Sequence, residues 1–90
     1  LNDDVVDVSA TDWAFAALKG NGSAVTWGQA TTGGDSSGVS ALIADGVTRV
    51  FSNSRAFAAL KSDGSIVTWG RSREPGGQEA ARQKAIAHKN

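Results

Sequence analysis

The sequence predicts a β-rich α+β fold: two tandem three-stranded antiparallel meanders, each followed by a short helix or loop, in one domain of 90 residues. Three observations carry that reading. Residues 14–28 return at 56–70 with 12 of 15 positions identical and a constant offset of 42 residues. Chance does not produce such a match, so the chain is two copies of one unit. Each copy holds a turn dipeptide, Asn21-Gly22 or Asp63-Gly64, between apolar runs, which marks a hairpin. The flanking runs include Val25-Thr26-Trp27 and Val67-Thr68-Trp69, the β-branched and aromatic residues that strands prefer.

The elements follow in order. Val5 to Ala10 and Val47 to Ser52 are short and β-branched, a first strand in each unit. Residues 13–19 and 55–61 form the second strands. Ala-Ala-Leu-Lys alone favours a helix, but the adjoining turn and the Val-Thr-Trp run outweigh it. In an extended strand Phe15 and Ala17 point one way, and Ala14, Ala16 and Leu18 the other. Neither face is polar before Lys19, so this strand is expected to be covered on both sides. Residues 23–27 and 65–69 form the third strands. The intervening Asn-Gly and Asp-Gly supply the positive φ of a two-residue hairpin loop.

A helix is expected after each Trp-Gly. In the first unit Asp35 or Ser36 is the N-cap, Val39, Leu42 and Ile43 follow at helical spacing, and Gly46 closes the element. In the second, Pro75-Gly76-Gly77 breaks the chain ahead of an alanine-rich stretch over 78–89. Glu79 lies three and four residues before Arg82 and Gln83. Ile86 and the alanines are its material for burial; Arg82, Lys84 and Lys89 make it basic. It is expected to end the array or to dock on a partner. Gly33-Gly34 matches Gly76-Gly77 at an offset of 43, one residue longer than elsewhere. The units thus run over about 5–46 and 47–77, with a basic helix over 78–90.

Composition excludes several classes of function. The chain is 40% hydrophobic and 20% charged, which is globular and not a charged disordered segment. With no Cys there is no disulfide framework and no thiolate metal site. His88 is the only histidine, so there is no His cluster. The longest apolar run, residues 13–18, is far short of the ~20 residues that span a bilayer. The chain begins at Leu1 with no basic-then-apolar leader, as expected of a processed or partial chain. Net charge is zero but divided: −5 over residues 1–45 and +5 over 46–90. Such a dipole can align neighbours head to tail. It gives no strongly basic surface to track nucleic acid.

Candidate chemistry is sparse, and no cofactor is expected. Asp3, Asp4 and Asp7 form an acidic edge rather than an acid/base pair or a calcium loop. Asp35, Ser36 and Ser37 with His88 do not make a nucleophilic set, because a base near a chain end has no third group to hold it. Gly20-Asn21-Gly22 is followed by a strand, not by the helix N-terminus a phosphate loop needs. Gly33, Gly34, Asp35 and Ser36 do open an expected helix and form a weak candidate anion site. Asn21-Gly22-Ser23 matches the N-glycosylation triplet, although turn geometry alone explains Asn21. Trp27 and Trp69 recur with the unit and are assigned to packing between units. Trp13 has no recurring counterpart, since Arg55 replaces it, so it is the candidate exposed contact. Arg55, Arg71 and Arg73 near Trp69 make a basic aromatic patch, read as a solvated face rather than a nucleic-acid site.

The string Phe-Ala-Ala-Leu-Lys-x-Asp-Gly-Ser-x-Val-Thr-Trp-Gly over residues 57–70 resembles the RCC1-like repeat family, the β-propeller blade type. The resemblance is to its alanine-rich, 42-residue variety, found in bacterial propeller proteins and in dinoflagellate-type algal proteins. It covers about residues 5–28 and 47–70, roughly half the chain. The family's His before the second strand is absent here; Trp13 and Arg55 stand near that place. The resemblance implies propeller-blade units in an incomplete array, because two blades do not close a ring in which each covers its neighbour. A longer array, assembly with other chains and a compact two-unit domain all remain open. The family's guanine-nucleotide exchange and enzyme inhibition belong to particular loops and are not implied by the blade.

The expectation is therefore a non-enzymatic module for protein–protein contact: an accessory or structural subunit of a larger assembly, or a fragment of a longer repeat protein. The contact candidates are Trp13, Arg55, Arg71, Arg73, Arg82 and Lys84. The alternative is a ligand-binding module for a small anion or glycan, and an enzyme is third. Peripheral association with a membrane complex is compatible with this reading. Location stays open, with secretion kept alongside the organelle lumen or stroma that the algal resemblance implies.

Overall fold

Each 42-residue copy folds into its own three-stranded antiparallel sheet. The computed structural model describes residues 5–30, 35–71 and 77–88. Sheet A contains β1 (Val5–Ala10), β2 (Ala14–Lys19) and β3 (Ala24–Gly28), with β2 in the centre. Sheet B contains β4 (Val47–Ser52), β5 (Ala56–Lys61) and β6 (Ile66–Gly70), with β5 in the centre. One helix follows, α1 (Gln78–Ala87).

The two ladders have the same register. Phe15 is opposite Trp27 and Ala10 in sheet A, and Phe57 is opposite Trp69 and Ser52 in sheet B. Both first strands shift register at the same place, between Val5 and Asp7 and between Val47 and Arg49. The third strands lie one residue later than the apolar runs suggest, ending at Gly28 and Gly70. Those glycines explain why Trp-Gly recurs. Their φ values are 110° and 112°, and an added Cβ would lie 2.6 Å from the Trp13 carbonyl or 2.8 Å from the Arg55 carbonyl. No other residue type fits there without moving the backbone.

The hairpin loops are where the sequence places them, but they are one residue longer. Lys19 N–H donates to Ser23 O at 2.9 Å and Gly22 N–H to Lys19 O at 3.0 Å; Lys61, Ser65 and Gly64 repeat the pattern. Gly22 and Gly64 take positive φ, as in a three-residue loop closed by a left-handed glycine. Asn21 and Asp63 have a different task. Each Oδ1 accepts from the N–H and the hydroxyl of the serine two residues on, a side-chain turn.

The first expected helix does not form. The segment after Ser36 makes a three-residue 3-10 turn, Ser37–Val39, and then irregular turns. Leu42 and Ile43 both direct their N–H groups at Val39 O, and Ile43 O accepts from Ala24 N–H at 2.9 Å. That carbonyl serves the edge of β3 and is lost to a continuing helix. The apolar spacing instead reflects one buried side chain, Ile43, with Val39 packed beside it; Leu42 is exposed. The Ser- and Gly-rich sequence gives little helical bias to oppose this.

The second helix forms. Ala81 and Ala85, one turn apart, are fully buried against sheet B, while Ile86 faces outward. Alanines let the helix axis approach the sheet closely. Lys84 Nζ donates to Ser52 O at 2.7 Å. His88 ends the helix, with Nδ1 2.9 Å from Lys84 O and its ring 4.9 Å from that of Phe51. It is thus better held than a frayed end would be. Thr26 and Ser36 share a hydroxyl–hydroxyl hydrogen bond, and Thr68 Oγ1 donates to Gln78 Oε1. Ser36 and Gln78 are again 42 residues apart, so α1 begins where the first unit makes its 3-10 turn.

Three layers result. The small-residue face of sheet A, with Ala14, Ala16 and Leu18, packs in one cluster with Phe57, Ala59, Val67 and Trp69 of sheet B. The other face of sheet B, with Ala56, Ala58 and Leu60, packs under α1. Backbone links fix the join between sheets: Asp12 N–H to Ser54 O and Val47 N–H to Gly22 O, both 2.8 Å. Ser9 Oγ adds a bond to Val50 O at 3.1 Å.

Candidate functional site

β5 is covered on both faces, as an all-apolar strand should be. β2 is not, which corrects the expectation from sequence. Its outward face carries Val8, Ala17 and Val25 in one row and Ala10, Phe15 and Trp27 in the next, since directly opposed residues share a face. Phe15 is 42% exposed and Trp27 39%; their counterparts Phe57 and Trp69 are 0% and 4%. Val8 and Val25 are likewise exposed where Val50 and Val67 are buried. Ala17 is buried beneath its larger neighbours on the same face.

This exposed face is already ordered. Phe15 and Trp27 stack with ring centroids 5.5 Å apart and planes at 18°. Phe57 and Trp69 are also 5.5 Å apart, at 25°. The open face therefore has the shape of the covered one, and covering it needs no rearrangement of the aromatic pair. Its chemistry is apolar. Among the described residues no buried side-chain nitrogen or oxygen lacks a hydrogen-bond partner, and no group of three or more His, Cys, Asp or Glu could hold a metal ion. Among the described residues no helix is long and apolar enough to cross a membrane.

The residues singled out from sequence lie elsewhere. Trp13 is 65% exposed, in the bend before β2. Arg55 occupies the matching bend before β5, and the Asp12–Ser54 bond sets the two bends side by side. Arg55 O accepts from Arg71 N–H at 2.9 Å, so Trp13, Arg55 and Arg71 share one end of the stack. Arg73 lies outside the described residues. Trp69, placed near these arginines in the sequence reading, is buried. Among the described residues, Arg49 lies over the Phe51 ring at 5.2 Å, a cation–π contact. On α1, Arg82 is exposed and 4.0 Å from Glu79, a pair worth little in water. Lys84 is committed to the Ser52 carbonyl.

The candidate anion site is also changed. Gly33 and Gly34 lie outside the described residues. Asp35 Oδ1 accepts from Ser37 N–H at 2.9 Å, so a carboxylate already occupies the amide an anion would use. Hydrogen bonding from the Ser37 side chain, then from its N–H, lowers the Asp35 pKa below the ordinary carboxylate value. Ser36 is tied to Thr26, and no eight-residue helix starts here to supply a dipole.

Sequence reasoning assigned Phe15 and Trp27 to packing and missed them as a surface. The two large faces are alike in sequence, and sheet A covers the one formed by Phe57 and Trp69. Comparison of the chain with protein-family models, with curated proteins and with solved structures returned no match.

Proposed function

We propose that this chain is a non-enzymatic repeat module for protein–protein contact, a structural or accessory piece of a larger assembly or of a longer array of RCC1-like units. The observation that carries the reading is the exposed Val8, Phe15, Val25 and Trp27 face beside the buried Val50, Phe57, Val67 and Trp69 face. The same side chains in the same register form core in one sheet and surface in the other. A contiguous, ordered, exposed apolar face marks an interaction site. Removing each of these half-exposed side chains from water contributes on the order of 1 kcal/mol, and the stacked pair arrives preorganised. Trp13, Arg55 and Arg71 extend the contact surface at one end. The ligand-binding alternative has no such apolar face behind it, and the Ser37 N–H it would use donates to the Asp35 carboxylate.

The test is the mass of the native particle by size exclusion with light scattering. A particle several times 9.2 kDa that falls to the single-chain mass on Phe15→Lys is the expected result. A monodisperse particle of 9.2 kDa from native material overturns the proposal.

A further inference from the structure

Every layer contact in this chain joins unlike faces. The small-residue face of sheet A lies on the large-residue face of sheet B, and the small-residue face of sheet B lies under α1. The stack therefore has a direction. Its α1 end is closed by a helix whose buried side chains are only Ala81 and Ala85. Its other end presents the large-residue face of Phe15 and Trp27. We infer that the occupant of this open face is a further three-stranded unit presenting an Ala-x-Ala-x-Leu strand, stacked as sheet A stacks on sheet B. This rests on the contact reading above and names the partner's chemistry.

The internal join supplies the template. It needs a strand of small residues, since Ala14 and Ala16 let the sheets approach over Phe57 and Trp69. It also needs three polar groups from the covering unit: the Ser9 hydroxyl to Val50 O, the Asp12 N–H to Ser54 O, and the Gly22 carbonyl accepting from Val47 N–H. On the open side the matching atoms belong to Val8, Asp12 and Val5, each 42 residues earlier. An occupant supplying a hydroxyl, an N–H and a turn carbonyl at those places repeats a contact the chain already makes once. A second copy of the chain as it stands does not fit this role. Both of its small-residue faces are occupied, one by its own sheet B and one by α1. A flat ligand or a charged surface does not match an apolar face of alternating large and small side chains.

The test duplicates residues 5–46 within the full chain, so that residues 1–46 are followed by 5–90, with Trp27→Phe in the outer copy. Oxidative footprinting then reads the inner Trp27. The expected result is protection of Trp27 to the level of Trp69, against clear labelling in the 90-residue chain. Ala14→Glu with Ala16→Glu in the outer copy should restore the labelling. Trp27 labelled as strongly as in the single chain, with Trp69 protected, overturns the inference; so does protection that survives the two glutamates. Independently of how the duplicated chain folds, a photo-crosslinker placed at position 15 in the native particle should recover a peptide of Ala-x-Ala-x-Leu pattern. Any other pattern overturns it. If Phe15→Lys dissolves the native particle while the duplicated chain leaves Trp27 open, the contact reading survives and this inference alone fails.

Discussion

Phe15 and Phe57 have the same sequence neighbours, stack on the same tryptophan across the same ladder and follow the same bulged strand. One is fully buried and the other nearly half exposed. Nothing local separates them; what differs is the layer above. Sheet B lies between a sheet and a helix, and sheet A has only sheet B. Burial here is a property of position in a stack, and side-chain energetics should follow the stack rather than the sequence. Backbone effects should instead be equal in both sheets, because their causes are local.

The largest expected effect breaks the symmetry. Phe57→Ala removes a fully buried ring and should cost ~3–5 kcal/mol, enough to threaten a domain this small. Phe15→Ala should cost about 1 kcal/mol in the isolated chain. Denaturant unfolding of the pair measures the difference, and equal losses would mean that the first face is covered after all. Next come the glycines. Gly28→Ala and Gly70→Ala place a Cβ against the preceding bend at φ near 110° in both sheets, so each should cost roughly 2 kcal/mol. Unequal losses there would show that the cover, and not local strain, sets the cost. A smaller effect falls on α1. Lys84→Met removes the bond to Ser52 O and should cost about 0.5–1 kcal/mol, read as faster amide exchange in the helix before either sheet opens.

The smallest effect is a pH difference between the hairpins. The Ser65 hydroxyl and then its N–H hold the Asp63 pKa below the ordinary carboxylate value. A depressed folded-state pKa stabilises above the unfolded pKa, and that contribution is lost as pH falls through the folded value. The second hairpin should therefore loosen below about pH 4, while the first, with Asn21 in the same place, should not respond through this group. Amide exchange at Ser65 and Ser23 as pH is lowered from neutral compares them, and Asp63→Asn should make the two alike.

Much of the fold was legible because its causes are local. β-branched and aromatic runs, a glycine needing positive φ and a recurring Trp-Gly pair all leave marks within a few residues, and the 42-residue offset doubles each mark. The alanine-rich helix was legible for the same reason. The segment after Ser36 was misread because Val39, Leu42 and Ile43 have helical spacing, while the Ile43 carbonyl belongs to the β3 edge, a long-range fact. The hairpin loops were placed correctly but sized one residue short, because Asn21 and Asp63 act through their side chains. The candidate surface was hidden by the repeat itself, since two identical strings do not reveal which one has a neighbour.

Trp27 and Trp69 differ in what covers them. Oxidative footprinting of both, on the purified chain and on the native particle, tests this most directly. Trp27 should be labelled and Trp69 protected in the purified chain, and both should be protected in the native particle. Equal labelling of the two in the purified chain, or a Trp27 equally open in both samples, would contradict it.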